Sequence, residues 1–493
     1  MLKVYNSLKR EEQEFKPIHE GFVGIYVCGP TVYGHSHIGH AKSYVSFDVI
    51  IRYLRYLDYR VRYVQNITDV GHLTDDADEG EDKVGLKARE MGVEPMEVAE
   101  TFTRSYFEDM DALNIRRPDI CPRASGHIPE QIALVRELLE NGHAYQVDGN
   151  VYFDVMSFED YGKLSGRDLD QMLENVRVDE RAEKRSPLDF ALWKKAEERH
   201  LMNWESPWSV GYPGWHVECS AMGLKYLGPT LDIHGGGLEN IFPHHENEIA
   251  QSEGATGEQF VRYWLHNNMV TVEGRKMGKS LGNFITLKDA FGGDPPLEEP
   301  VRPMVIRYFI LNSHYRSPLD FSAEALEAAR KGLERIENAA SELRKRREII
   351  ETSEDEVADH IQQIVDETQE RFEGEMNDDF NTAGAIGELS KYTHLVNQLL
   401  DAGSPLNSTE LAALDGLYSE LGEQVLGILR DAGAGEKTGG KGLGKDLIET
   451  MIETRAALRE AGQFDLADHI RDRLAGLGIV LKDEANGTEW KCE

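Results

Sequence analysis

Cysteine is scarce in this chain, and its four copies, Cys28, Cys121, Cys219 and Cys492, form no C-x-x-C pair. That excludes a disulfide framework and leaves any special cysteine the role of ligand or nucleophile in a reducing cytosol. Long apolar runs are missing too, and nothing approaches the roughly 20 apolar residues of a membrane span. The start, MLKVYNSLKREEQEF, lacks the apolar stretch of a secretory leader, so a cytoplasmic location is expected. Positive charge is the third shortage. Lys and Arg number 54 against 88 Asp and Glu, a formal net charge of −34. Such a balance usually argues against nucleic acid, because phosphate binding rests on basic side chains that release counterions. Dense surface acid also keeps proteins soluble in molar salt, where the Debye length falls to about 3 Å. A halophilic, salt-loaded cell is therefore expected, and an RNA partner is not excluded.

What is present points to a multidomain α/β protein. Of 493 residues, 40% are hydrophobic, enough to bury about three or four cores. Phe22-Val-Gly-Ile-Tyr-Val27 reads as a buried strand broken at Gly29-Pro30. A helical pattern follows from about Ile38, with Tyr44, Phe47, Ile51 and Leu54 near one face, and then a second strand over 59–66. Strand, helix, strand predicts a Rossmann-type parallel sheet. The alternation at 150–155 and the charged stretch 178–200 predict an inserted α+β module at 126–205. That module splits the sheet domain into 1–125 and 206–270, where 231–234 and 263–266 resume its character. A linking segment follows at 271–320. Leu326, Leu333 and Ala340, interleaved with Ala329, Ile336 and Leu343, predict a helical bundle over 321–430. A Gly-rich linker, 431–445, and a small terminal domain, 446–493, complete the chain.

Three constellations carry chemistry. The turn after the first strand, Thr31-Val-Tyr-Gly-His-Ser-His37-Ile-Gly-His40, crowds histidines at a strand-to-helix junction, where open α/β sheets bind ligands. Imidazole donors beside a helix N-terminus suit phosphates, and Gly39 lets the backbone approach a ligand. The stretch "EGRKMGKSLGNF", 273–284, rhymes with a phosphate-binding P-loop but is one residue short, and no clear buried strand feeds it into a helix. It offers instead two ammonium groups, Lys276 and Lys279, to a departing polyphosphate. The third constellation is a set of metal donors. Pro243 suits a helix start, after which His244 and Glu248 share one face at i, i+4, with His245 and Glu248 the weaker pair. Joined by Cys28 and Cys219, these donors suit Zn²⁺ if the fold brings them together.

His37-Ile-Gly-His40 and Lys276-Met-Gly-Lys-Ser280 together resemble the paired "HIGH" and "KMSKS" signatures of class I aminoacyl-tRNA synthetases, with Gly278 where the second signature has its middle serine. Longer stretches resemble the cysteinyl-tRNA synthetase family: Tyr26-Val-Cys-Gly-Pro-Thr, Asp189-Phe-Ala-Leu-Trp, Gly214-Trp-His-Val-Glu-Cys-Ser, Asp232-Ile-His-Gly-Gly-Gly, Phe242-Pro-His-His-Glu-Asn-Glu and Ala467-Asp-His-Ile-Arg-Asp. The resemblance spans nearly the whole chain. It implies ATP-dependent ligation of L-cysteine to tRNA(Cys) through cysteinyl-adenylate, with Mg²⁺ accompanying ATP. It further implies one zinc on Cys28, Cys219, His244 and Glu248 that takes the substrate thiolate, Glu248 being the donor that yields. His37, His40, Lys276 and Lys279 would serve phosphoryl transfer, Gly39 and Lys279 would contact ATP, and Trp215 and His234 would line the amino-acid pocket. Residues 446–493 would read the anticodon, and the chain is expected to act as a monomer. Arg344-Lys-Arg-Arg347 reads either as a tRNA contact or as a solvated helix face. Two rivals stand beside this: a cysteine ligase acting on an amino sugar, as in mycothiol synthesis, and a P-loop NTPase or zinc-containing RNA-binding module without ligase activity.

Overall fold

The computed structural model describes the chain apart from residues 74–81, 176–182, 198–199, 279–280, 296, 298, 351–355, 403–405, 431–440, 461, 476–478, 485–486 and 493. It forms two compact units, Met1–Leu429 and Arg430–Glu493. The first opens with a hairpin, β1 (Lys3–Asn6) and β2 (Glu11–Glu14), then β3 (Phe22–Val27), α1 (Ile38–Tyr56) and β4 (Arg60–Gln65). Helices α2 (Lys83–Met91), α3 (Pro95–Ala112) and α4 (Ile128–Glu140) follow. After them come β5 (Ala144–Val147), β6 (Asn150–Phe153), α5 (Leu169–Asn175), β7 (Phe190–Lys195), β8 (Trp204–Glu205) and β9 (Val210–Pro213). The chain then returns through α6 (Trp215–Leu227), β10 (Leu231–Gly237), α7 (His244–Thr256) and β11 (Val261–Asn267).

The central sheet is parallel, in the order β11-β10-β3-β4. Its two inner strands, β3 and β10, are buried along almost their whole length, as strands sandwiched between helices must be, while the edge strand β4 exposes Arg60 and Arg62. Chain order and sheet order part between β3 and β10, so a crevice opens beyond their carboxyl ends. Helix α1 packs hard on this sheet: a Cβ on Gly235 would lie 2.2 Å from the Phe47 ring, so only glycine lets the ring seat there. The inserted module is an antiparallel sheet, β5-β6-β7-β9-β8. Its strand β9 ends at Pro213, so the inserted sheet runs beyond the boundary expected at 205.

A small sheet joins β12 (Val270–Val272), β13 (Arg275–Lys276) and, past α8 (Leu287–Gly292) and α9 (Pro303–Leu311), β14 (Leu319–Phe321). The bundle comprises α10 (Ala323–Ile349), α11 (Asp359–Met376), α12 (Thr382–Asp401), α13 (Ser408–Leu417) and a π-helical turn, Tyr418–Val425. All six apolar positions of the predicted stripe are buried on α10. In the basic stretch after them, Arg344 pairs with Asp415 and Glu423, while the exposed side chains of Arg346 and Arg347 pair with Glu342 and Asp415.

The second unit holds α14 (Lys441–Glu460), α15 (Phe464–Ala475) and a hairpin, β15 (Ile479–Glu484) with β16 (Gly487–Cys492). Because α14 already starts at Lys441, the expected linker is shorter than 431–445, and its portion 431–440 lies outside the described residues. A buried ion network pins α1 within the first unit. Asp48 accepts from Arg52 at 2.7 Å and from Arg307 of α9 at 2.6 Å, and both guanidinium groups also donate to carbonyls of residues 423–426.

Candidate active site

Four chain segments meet at the crevice. Cys28 follows β3, Cys219 lies one turn into α6 beyond Trp215, and His244 opens α7 with Glu248 a turn later. One ligand atom from each of these four residues lies within 4.8 Å of the others. Pro243 sits at the cap, one place earlier than its expected role as first helical residue. Glu248 Oε1 is 3.0 Å from His244 Nε2 and 3.8 Å from Cys28 Sγ. Its other oxygen is held by His234 Nε2 at 2.9 Å. The Nδ1 of His244 meets His216 Nδ1 at 2.8 Å, which orients the ring so that Nε2 faces the sulfurs.

The electrostatics favour charged donors. Burial pushes the Glu248 carboxyl up, but His234 and His244 outweigh it and hold it at about 2. Burial likewise opposes charge on His244, yet Glu248 and Cys219 draw it up to about 10. The Cys28 thiol lowers Cys219 to about 6 against burial, while burial keeps Cys28 itself high. Two sulfurs, an imidazole and a carboxylate converging in this way is donor chemistry that fits zinc. A second set, Cys28, His234, His245 and Glu248, shares two of these donors. His234, read from sequence as a pocket wall, stands fully buried behind Glu248 and stacks on Trp264.

The histidine turn caps α1 in an unusual way. His37 is the cap residue; its Nδ1 accepts from the Gly39 and His40 amides at 3.1 and 3.4 Å, and His40 Nδ1 accepts from the His37 amide at 3.2 Å. The two rings stack at 3.8 Å. A ring nitrogen that accepts carries no proton, so both imidazoles are neutral and keep their hydrogen on Nε2. Burial, then His37, also lowers the His40 pKa well below its usual value. A Cβ on Gly39 would lie 2.9 Å from the His37 ring, so glycine makes room for that ring. The third histidine, His35, turns away to Ser105 and Phe102.

The loop of 273–284 is neither a strand-to-helix turn nor a P-loop. Glu273 and Gly274 both have positive φ and close the β12–β13 hairpin. Exposed Lys276 sits on β13, while Lys279 and Ser280 lie outside the described residues. Asn283 clasps the loop by accepting from the Gly278 amide and donating to the Lys276 carbonyl, each at 3.0 Å. Beyond it the chain returns to the histidine turn: the Ile38 amide donates to Ile285, and the Leu287 amide to Ser36. The two stretches lie next to each other.

Trp215, the first residue of α6, stacks on His244 at 4.3 Å and on His72 at 4.0 Å. Sequence reasoning missed His72, His216 and His266. A signal existed for His266, a histidine next to the buried run Tyr263-Trp-Leu of its strand, where a polar ring needs partners; it bonds His245 and Ser7, each at 2.8 Å.

Parallel strands, a donor cluster at the switch point and a histidine-capped first helix define a class I aminoacyl-tRNA synthetase. The family model of the class I (C) tRNA synthetase catalytic domain matches residues 14–331, that of the DALR domain 371–430, and that of the cysteinyl-tRNA ligase anticodon binding domain 445–490. The chain belongs to the cysteine–tRNA ligase family. It is 54% identical to the cysteine–tRNA ligase of Chlorobaculum tepidum across 99% of this chain and 98% of that one. It is 48% identical to those of Porphyromonas gingivalis, covering 99% of both chains, and Deinococcus radiodurans, covering 99% and 96%. Among solved structures, Mycobacterium tuberculosis methionyl-tRNA synthetase with methionyl-adenylate shares the fold at a TM-score of 0.55 and 17% identity, over 82% of this chain and 89% of that one. No helix among the described residues is long and apolar enough to cross a membrane.

Proposed function

We propose that the chain joins L-cysteine to tRNA(Cys) in two steps at this crevice and selects cysteine by its sulfur. The observation that carries the reading is the convergence of Cys28, Cys219, His244 and Glu248 within 4.8 Å, beside the turn of His37 and His40. Zinc held by these four residues would supply a soft Lewis acid that prefers sulfur to oxygen, a distinction an apolar pocket makes poorly. His234 steadies Glu248 from behind, and His216 fixes the tautomer of His244.

In the first step a cysteine carboxylate oxygen attacks the α-phosphorus of ATP, which enters with Mg²⁺. The bond from that phosphorus to the bridging oxygen breaks, and pyrophosphate leaves with the electron pair. His37 and His40 offer Nε2–H donors to the phosphoryl oxygens, and Lys276 and Lys279 neutralise the departing charge. In the second step the 2′-hydroxyl of the terminal tRNA adenosine attacks the acyl carbon and AMP departs. Trp215 walls the amino-acid pocket, and the second unit, 446–493 by sequence, reads the anticodon.

Cysteine-dependent ATP–pyrophosphate exchange tests the first step in both low and molar salt, the latter to judge the acidic composition. Absence of exchange with zinc supplied would reject ligation altogether. Transfer of labelled cysteine to an amino sugar instead of tRNA would choose the rival ligase, which the tRNA-ligase relatives and the anticodon-domain match disfavour. Lys279→Ala should slow adenylate formation by about 10²-fold while leaving cysteine binding within about twofold. Equal losses in both would remove Lys279 from its role.

A further inference from the structure

A lysine that the reaction scheme leaves unused is buried on α1. Lys42 lies two residues past His40 and is 1% exposed. Burial pulls its ammonium down to about 8, and the charge of Glu239 only partly offsets this. A charge kept inside at such a cost must have its protons in use. Lys42 Nζ donates to two main-chain carbonyls, that of Ser317 and, at 3.4 Å, that of Met269. Met269 and Ser317 stand just before β12 and β14, the parallel pair on which the β12–β13 hairpin is built.

The strand pair itself is held without this lysine. The Met269 carbonyl also accepts from the Leu319 amide at 3.1 Å, and Asn268 donates to the carbonyls of Tyr315 and Arg316 at 2.9 and 2.8 Å. Asp320 of β14 braces the hairpin, accepting from the Thr271 hydroxyl and the Gly274 amide. What Lys42 adds is a link from this assembly to α1. The far end of the same loop is linked to the same place, through the Ile38–Ile285 and Leu287–Ser36 backbone bonds. Between these moorings stands Met277, whose Cε would lie 3.8 Å from a Cβ on Gly39. The stretch that bears Lys276 is therefore tied at both ends to the start of the helix that His37 caps.

We propose that Lys42 is a positioning residue for adenylate formation. It acts through the hairpin, fixing where the lysine-bearing loop stands against the His37–His40 turn. This rests on the reading of those two stretches as the groups that handle the phosphates of ATP. The donor cluster hangs on β3, α6 and α7, so cysteine binding is expected to be indifferent to Lys42.

Lys42→Met keeps most of the buried chain and removes the ammonium. On zinc-loaded enzyme at saturating substrates, pyrophosphate exchange should turn over about 10- to 100-fold more slowly, the cost of misplacing a group by about 1 Å. The dissociation constant for cysteine, read by calorimetry, should stay within about twofold. Amide deuteration should quicken in peptides of β12–β13 and stay unchanged in those of α7. A double-mutant cycle reads the route: Lys42→Met should cost less in a Lys276→Ala background than in the wild type. Unchanged turnover, additive costs in the cycle, or slower turnover without quicker deuteration of the hairpin each overturns the proposal. So does a Lys42→Met chain that loses cysteine affinity as steeply as turnover, or that no longer unfolds cooperatively, since Lys42 would then be a core residue alone. A wild type without cysteine-dependent exchange overturns the reading of the two stretches, and this proposal with it. A wild type that exchanges, matched by Lys42→Met, overturns Lys42 alone.

Discussion

Cys219→Ser is expected to release the zinc and to cut cysteine-dependent pyrophosphate exchange by about 10³-fold or more. The substitution changes one atom at a side chain that is 1% exposed, so it disturbs packing little. It changes donor chemistry a great deal. Cys28 lowers the Cys219 thiol below its ordinary value against burial, which favours the thiolate that a soft metal takes. A serine hydroxyl stays protonated and is hard where a thiolate is soft. The remaining donors are one sulfur, one imidazole and one carboxylate already shared with His234. Metal analysis of purified protein should fall from one zinc per chain to a small fraction. Thermal unfolding should show that the chain still folds. A full zinc complement in the serine variant, with exchange intact, would show that Cys219 is packing alone.

Asp48→Asn should destabilise the first unit by about 3–5 kcal/mol, the usual cost of removing one member of a buried ion group. The side chains of Asp48, Arg52 and Arg307 are only 2%, 4% and 0% exposed. Asparagine matches aspartate in shape, so the variant isolates charge: two guanidinium groups would remain in the interior without their counter-ion. The wild type has a matching acid signature. Burial pushes the Asp48 carboxyl up, but Arg52 and Arg307 outweigh it and hold it below its ordinary value. A depressed folded pKa gives stability that is complete above the unfolded carboxylate value of about 3.9 and is lost as pH falls through the folded value. Urea unfolding across acid pH should show this loss in the wild type and not in Asp48→Asn. A stability change under about 1 kcal/mol would mean that the carbonyls around the arginines suffice.

Local patterns in the sequence gave a good guide to the crevice, and distant partners did not. The strand at 22–27 and the helix after it were legible because burial on both faces and a histidine-rich turn leave signals within a few residues. Cys28 and Cys219 could be nominated, but only the sheet order brings them to His244. The bond of His234 was hidden for a related reason: its partner is Glu248, on the next helix. Arg344 and Arg347 show the converse: their charge is conspicuous in sequence, whereas their partner Asp415 lies far along the chain.

The stacked pair at the start of α1 bears on how this synthetase tolerates its surroundings. In the proposed reading, the uncharged Nε2–H groups of His37 and His40 would hold phosphate through short, directional bonds, which mobile ions weaken far less than they weaken attraction between full charges. Nucleotide affinity should then decline with ionic strength only as far as the two lysines contribute.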